Sequence, residues 1–141
     1  MVLTWHRQHH NSIVAQLPGG RAATTPQAYE KLGWVMQHTS PGQFFFQAAW
    51  PGMYLPLQLR NPVFLDAVGT GDGTPPQYVQ QAIQQLEEKR VQYVVWPARL
   101  DYPDNRQCPE TDHLAPLRAY LRRRYERVQI FSDEVEARER K

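Results

Sequence analysis

The chain has 141 residues, of which 41% are hydrophobic and 21% are charged, a balance typical of a globular domain and not of a disordered chain. Its formal net charge of +2 is too small to indicate a nucleic-acid partner. The single cysteine, Cys108, excludes an internal disulfide and a zinc site of several thiolates, and no apolar run approaches the roughly 18 residues that span a bilayer. We therefore expect an irregular lead-in over residues 1–11 and one α/β domain over residues 12–141.

The first half of the chain alternates strand and helix signals. Residues 12–17 are predicted to form a short strand that ends at a Pro-Gly-Gly turn. Thr25-Pro26 supplies a capping hydroxyl and an N1 proline for a helix. The apolar run at 43–49 is typical of a central strand covered on both faces. Two further elements are expected next: a short helical turn over residues 51–57 and a strand over residues 61–68.

The second half opens on the clearest helix signal. Thr74-Pro75 repeats the helix start, and an apolar stripe at helical spacing follows, formed by Val79, Ala82, Ile83 and Leu86. Residues 93–96 are typical of a buried strand, and a polar loop over 97–112 follows it. Asp112 is predicted to cap a last helix whose inward residues are Leu114, Leu117, Leu121 and Tyr125. Two closing strands are expected at 128–131 and 135–138.

This order of elements predicts the fold class. Strands alternating with helices favour an α/β three-layer sandwich, with a mostly parallel sheet of about five strands and helices on both faces. The apolar runs at 44–46, 63–65 and 93–96 are expected to be neighbouring parallel strands. The C-terminal hairpin can add an antiparallel edge.

One loop is placed where ligands often bind, between a predicted strand and a helix. Its residues are Gly69, Gly71, Asp72, Gly73 and Thr74. Backbone amides and the helix dipole can hold a phosphate at such a position. The loop matches neither dinucleotide nor Walker spacing, Pro75 and Pro76 remove two donors, and Asp72 repels anions. A plain flexible connector is therefore the competing interpretation.

A basic cluster near the C-terminus is the second candidate surface. Arg118, Arg122 and Arg123 lie on the last predicted helix, together with Arg124, and Arg127 follows it. Most of these side chains are expected to face outward, where they would be solvated and favoured by the helix dipole. The alternative is contact with anionic lipid or another anionic partner.

The sequence predicts no catalytic residue, no metal site and no cofactor. His38 with Ser40, and Cys108 with His113, could be read as a nucleophile and its base, but neither pair has an orienting third group or a recognisable motif. His6, His9 and His10 lie in the lead-in without neighbouring ligands. These residues are more typical of turns, helix ends and a solvated tail.

Four stretches in a fixed order resemble a known group of proteins. They are WVMQHTSPGQFFF at 34–46, RNPVFLD at 60–66, VQQAIQQLEEKRVQYVVW at 79–96, and PLRAYLRRRYERVQIFSDEVEAR at 116–138. Together they resemble the soluble C-terminal region of bacterial polytopic membrane glycosyltransferases. These enzymes form the GT-C group, related to protein mannosyltransferases and aminoarabinose transferases. The loops at 69–73 and 97–112 are not features of that group.

The resemblance implies a parent with many membrane helices, an extracytoplasmic active site and a polyprenyl-phosphate sugar donor. Its catalytic carboxylates lie in an early membrane loop that has no counterpart in these residues. The leading hypothesis is a non-catalytic domain on the periplasmic face of a bacterial membrane. There it would contact the membrane-embedded part of its own chain and help bind the acceptor or shape the active site. The alternative is a stand-alone α/β module that binds a small ligand or a protein.

Overall fold

The computed structural model describes residues 12–49, 51–70, 74–103 and 112–141. The chain divides into two compact units, of which the first comprises Met1–Gln43 with Gly52–Leu59 and the second comprises Phe44–Pro51 with Arg60–Lys141. The first unit contains a hairpin and two helices: β1 (Ile13–Leu17), β2 (Gly20–Thr24), α1 (Pro26–His38) and the single turn α2 (Tyr54–Leu57).

Local chemistry sets the elements of the first unit. Gly20 closes the β1–β2 hairpin at φ 125°, a conformation that other residues avoid. Gly19 donates its amide to the Pro56 carbonyl at 2.8 Å, and a Cβ there would lie 2.8 Å from the Leu55 oxygen, so only glycine fits. The predicted start of α1 is confirmed, since the Thr25 hydroxyl accepts a hydrogen bond from the Ala28 amide at 3.2 Å.

The second unit carries a four-stranded sheet and two longer helices. Its elements are β3 (Phe46–Gln47), α3 (Pro76–Glu88), β4 (Tyr93–Pro97), a 3₁₀ turn (Ala98–Asp101), α4 (Ala115–Arg124), β5 (Tyr125–Ile130) and β6 (Val135–Arg140). The strand order is β3-β4-β6-β5, with β3 parallel to β4 and the other two pairs antiparallel. β6 therefore lies in the interior of the sheet although it is the last strand in the chain.

The predicted fold class is wrong. The described residues form a small α+β structure with one two-stranded antiparallel sheet and one mixed, mostly antiparallel sheet. Of the three runs expected to be parallel neighbours, only the first and the last lie side by side. Phe46 and Gln47 of β3 are paired with Val94 and Val95 of β4. The predicted C-terminal hairpin is present, but β6 inserts beside β4, so antiparallel pairing dominates the sheet.

The stretch at 61–68 is not a strand, and side-chain hydrogen bonds explain why. The Asn61 side chain accepts from the Val63 amide at 3.1 Å and donates to the Leu65 carbonyl at 2.8 Å, which folds the chain back on itself. Helix α3 takes up two more backbone groups: Gln85 accepts from the Phe64 amide at 3.1 Å, and Lys89 donates to the Pro62 carbonyl. These bonds replace the ladder that a strand would need.

The core of the second unit lies where α3 and α4 pack on the sheet. It contains the stripe predicted for α3, together with Trp96 and the inward residues predicted for α4. Trp96, Leu86 and Leu117 are each fully buried. One detail of α4 differs from the prediction: Leu114 is its N-cap, with no side-chain cap, and Asp112 instead binds an arginine.

Candidate functional site

A groove of about 590 Å³ lies between α3 and α4 in the second unit. Four glutamines of α3 line one wall, and a tyrosine and two arginines of α4 contribute to the other. The lining residues are Gln77, Gln80, Gln81, Ile83, Gln84, Glu87, Glu88, Tyr120, Arg123 and Arg124. Its volume falls within the range of about 300–1,000 Å³ that is usual for small-molecule sites.

The spacing of the glutamines explains the wall. Gln77, Gln80, Gln81 and Gln84 recur at i, i+3, i+4 and i+7, so they share one face of α3. The neighbouring face carries the buried stripe and holds the helix against the core. The core contacts therefore fix the direction in which this face of α3 points.

An ion-pair network includes three of the residues that line the groove, Glu87, Tyr120 and Arg124. The Glu87 carboxylate accepts hydrogen bonds from the Tyr120 hydroxyl and from Arg140 Nη2, both at 2.8 Å, and its other oxygen lies 3.1 Å from Arg124 Nη2. Arg140 Nη1 also donates to the Tyr120 oxygen at 3.3 Å. We call this group of four side chains the Glu87 network. It ties α3, α4 and β6 together.

The Glu87 network fixes the charge of its members. The hydrogen bond from Arg140, followed by that from Tyr120, lowers the pKa of Glu87. Burial, more than its bond to Glu87, raises the pKa of Tyr120. The bond to Glu87 raises the pKa of Arg140. At neutral pH the network is therefore a carboxylate held by two cations and a protonated phenol.

The remaining lining residues can form hydrogen bonds with a ligand. Gln84 donates to Glu88 at 2.7 Å, whereas the amides of Gln77, Gln80 and Gln81 make no hydrogen bond within the described part of the chain. Each primary amide offers two donors and one acceptor oxygen. The groove is thus equipped to bind a ligand with many hydroxyl groups, each of which both donates and accepts.

The glycine-rich loop is only partly described. Gly71, Asp72 and Gly73 lie outside the described residues. Gly69 donates its amide to the Thr74 hydroxyl oxygen at 3.0 Å, and Thr74 is fully buried. These two positions therefore use their polar groups inside the protein, and ligand binding by the loop stays a prediction.

The basic cluster separates into three environments. Arg118 is 4% exposed and does not reach the surface, because it binds both Asp112 oxygens, at 2.7 and 2.8 Å, and donates to the Leu100 carbonyl. This bidentate pair lowers the pKa of Asp112. Arg123 is exposed and lines the groove. Arg122 is exposed beside a different cavity, and contact of these two with anionic lipid stays a prediction.

Of the other candidate residues, His38 has structural partners, whereas Nδ1 of His113 is buried without a hydrogen-bond partner among the described residues. His38 stacks on Trp34, with ring centroids 3.8 Å apart, and donates from Nδ1 to the Trp34 carbonyl at 2.7 Å. Cys108 lies outside the described residues. Within residues 12–49, 51–70, 74–103 and 112–141, no three His, Cys, Asp or Glu side chains come together as metal ligands. No helix in these ranges has the length and apolarity to cross a membrane.

Sequence reasoning did not single out the groove, although the glutamine spacing on α3 was a visible signal. What the sequence did not show is that α4 lies opposite that face. Comparison with known proteins adds no second line of argument, since no family model matches the chain and no curated protein is significantly similar to it.

Proposed function

We propose that this chain is a non-catalytic binding domain of a polytopic membrane glycosyltransferase, and that the α3–α4 groove binds the hydroxyl-rich acceptor. The parent enzyme is inferred from the four stretches that resemble the GT-C group. The groove carries the binding role, because its wall of glutamine amides suits sugar hydroxyls. In this proposal the domain lies on the periplasmic face, its partner is the membrane-embedded part of the same chain, and it uses no cofactor.

Two of the stretches that carry the resemblance supply all but one of the residues that line the groove, and a third packs on α3. The stretch at 79–96 supplies α3 and β4, and the stretch at 116–138 supplies most of α4 with β5. The stretch at 60–66 packs on α3 through the bonds that Gln85 and Lys89 make. The resembling residues therefore serve to position a binding surface, which supports an accessory role.

The groove carries charges of both signs, with two arginines on α4 and the carboxylates of Glu87 and Glu88 on α3, so the formal charge of its lining is zero. Arg123 and Arg124 lie on the α4 wall, where Arg124 is already paired with Glu87 and Arg123 is exposed. The exposed Arg123 would attract an acidic group on a glycan, whereas the exposed Glu88 would repel it. Acidic and neutral glycans therefore form the two arms of the test.

The binding experiment is a titration of the chain with acidic and neutral oligosaccharides, followed by the side-chain amide signals in NMR spectra. We expect the glutamine signals of α3 to shift saturably. Gln81→Ala should weaken binding about fivefold to tenfold, since one hydrogen bond contributes about 1 kcal/mol. Gln27→Ala is the matched control, an exposed glutamine on α1 outside the groove. Equal weakening by both variants, or no shift with any glycan, would refute the groove.

The parent is tested separately, by reading the gene upstream of the Met1 codon. Eight or more hydrophobic spans in the same reading frame would support the membrane glycosyltransferase, and an in-frame stop codon there would refute it. Glycan binding combined with such a stop codon would leave a stand-alone binding module as the function.

A further inference from the structure

A second cavity, of about 240 Å³, lies beside the C-terminal hairpin in the second unit. Its lining is charged apart from one tyrosine. The residues are Asp101, Arg122, Tyr125, Arg127, Glu136 and Arg138. None of them lines the α3–α4 groove, so what this cavity binds is a separate question from the acceptor.

Strand register brings two of the guanidinium groups together. Arg127 on β5 is paired with Arg138 on β6, which places like charges directly opposite each other. Such a pair is destabilising unless anions lie between or beside the charges. Two carboxylates of the protein supply part of that compensation.

Both carboxylates are already engaged by internal donors. Asp101 accepts from Trp96 Nε1 at 3.0 Å, and Arg138 Nη2 lies 3.0 Å from each of its oxygens. Glu136 accepts from Arg127 Nη1 at 3.1 Å and from Arg138 Nη2 at 2.9 Å. The two acids are thus held by two of the three arginines.

The third arginine leaves an excess of positive charge. Within the described residues no hydrogen bond or ion pair engages the Arg122 guanidinium. Arg127 has a side chain that is 57% exposed, and it uses only Nη1 on Glu136. Three guanidinium groups against two carboxylates give the lining a formal charge of +1, with unused N–H donors on Arg122 and Arg127.

We propose that this cavity binds a phosphate or diphosphate group through Arg122 and Arg127. Guanidinium groups bind phosphate oxygens in bidentate geometry, and such charge-assisted bonds are the strong ones. The volume is below that of sites for drug-sized ligands, so a small anionic group fits better than a large molecule. The bound anion would also relieve the repulsion between Arg127 and Arg138.

The test is calorimetric titration of the whole chain with inorganic pyrophosphate at ionic strength held constant with sodium chloride. We expect saturable binding that Arg122→Gln and Arg127→Gln each weaken about tenfold or more, because a hydrogen bond to a charged group contributes about 1.5–3 kcal/mol. The matched control is Arg99→Gln, which removes the same charge from an exposed residue on the 3₁₀ turn that does not line the cavity. Circular dichroism melts confirm that each variant is folded.

A second arm separates a soluble phosphate from a lipid headgroup. Vesicles of phosphatidylcholine with phosphatidic acid are compared with vesicles of phosphatidylcholine alone in a sedimentation assay. Binding of pyrophosphate alone would assign a soluble ligand, and binding confined to phosphatidic acid vesicles would assign a lipid phosphate. In either case Arg122→Gln and Arg127→Gln must both reduce the binding. The proposal is overturned if neither probe binds, or if Arg99→Gln weakens binding as much as Arg127→Gln.

Discussion

Arg118 and Arg140 each bind a carboxylate, but the two pairs differ in how far they are removed from water. The side chains of Arg118 and Asp112 are 5% and 12% exposed, whereas those of Arg140 and Glu87 are 19% and 40% exposed. A buried charge that loses its partner costs several kcal/mol, while a half-exposed one is solvated by water. We therefore expect the loss of a partner to cost more stability in the first pair than in the second.

The largest expected effect is that of breaking the buried pair. Asp112→Ala leaves the Arg118 guanidinium buried without its bidentate partner, so we expect the free energy of unfolding to fall by about 3–5 kcal/mol. Urea denaturation measures it. Glu88→Ala, at a carboxylate on the exposed surface of α3, should cost about 0.5 kcal/mol or less. A loss below about 1 kcal/mol for Asp112→Ala would contradict the distinction between the two pairs.

Truncation of the apolar residue Leu86 gives a reference for these losses of stability. Leu86 is fully buried in the core, and Leu86→Ala should reduce the free energy of unfolding by about 2–5 kcal/mol. Gln81→Ala, on the groove face of the same helix, should change it by about 0.5 kcal/mol or less. Similar losses for both variants in urea melts would mean that α3 does not present these faces as described.

The pH dependence of stability should distinguish the pairs in a second way. The folded-state pKa of Asp112 is lowered, so its contribution is fully present above the ordinary value of 3.8 and is lost as pH falls through the folded pKa. The destabilisation caused by Asp112→Asn should therefore be constant at neutral pH and shrink as the pH falls below 3.8. Urea melts of both proteins at each pH measure it, and a constant difference would argue against the lowered pKa.

The smallest expected effect comes from the half-exposed pair. Glu87→Gln keeps the shape of the side chain but removes the charge that Arg140 and Arg124 share, and should cost about 1 kcal/mol or less. This loss should diminish as salt rises, since exposed charges are screened over about 10 Å at 0.1 M. If Glu87→Gln lowered the free energy of unfolding by about 3 kcal/mol or more, independently of salt, the Glu87 network would behave like the buried pair of Arg118 and Asp112.

The sequence predicted individual elements better than their pairing. Helix α1 begins where its Thr-Pro signal placed it, and α3 begins one residue later than predicted, with Pro75 and not Thr74 as its N-cap. β4 and the C-terminal hairpin are present, and three of the four stripe residues of α3 are buried. Periodicity and capping are local signals, and they depend on residues within one or two turns. The sheet order depends on which strands meet across long stretches of chain, and burial patterns do not specify a partner.

Besides the run at 43–49, predicted as a central strand but present as the two-residue edge strand β3, two errors in the sheet can be traced to particular residues. The run at 61–68 is apolar enough for a strand, but Asn61 satisfies nearby backbone groups and so competes with a ladder. The interior place of β6 could not be predicted from its sequence, VEARER, which is polar and would suit an edge. Its charges are tolerated there because Glu136, Arg138 and Arg140 form ion pairs.

The candidate sites were predictable only in part. The exposure of Arg122 and Arg123 agrees with an outward face of α4, but the burial of Arg118 depends on Asp112 and on the Leu100 carbonyl, which no spacing rule brings together. The glutamine face of α3 can be read from the sequence. The groove itself exists because α4 lies alongside that face, which is a tertiary contact.

The interior position of β6 has a consequence for how the chain folds during synthesis. β4 pairs along its length with β6, and Pro97 cannot pair until Val135, roughly 40 residues later in the chain, has been synthesised. At about 5–20 residues per second, that wait lasts roughly 2–8 s. During this time the apolar strand Tyr93–Pro97 has one edge without its final partner, and such edges readily pair with other chains. The nascent chain is therefore most prone to aggregate before β6 emerges.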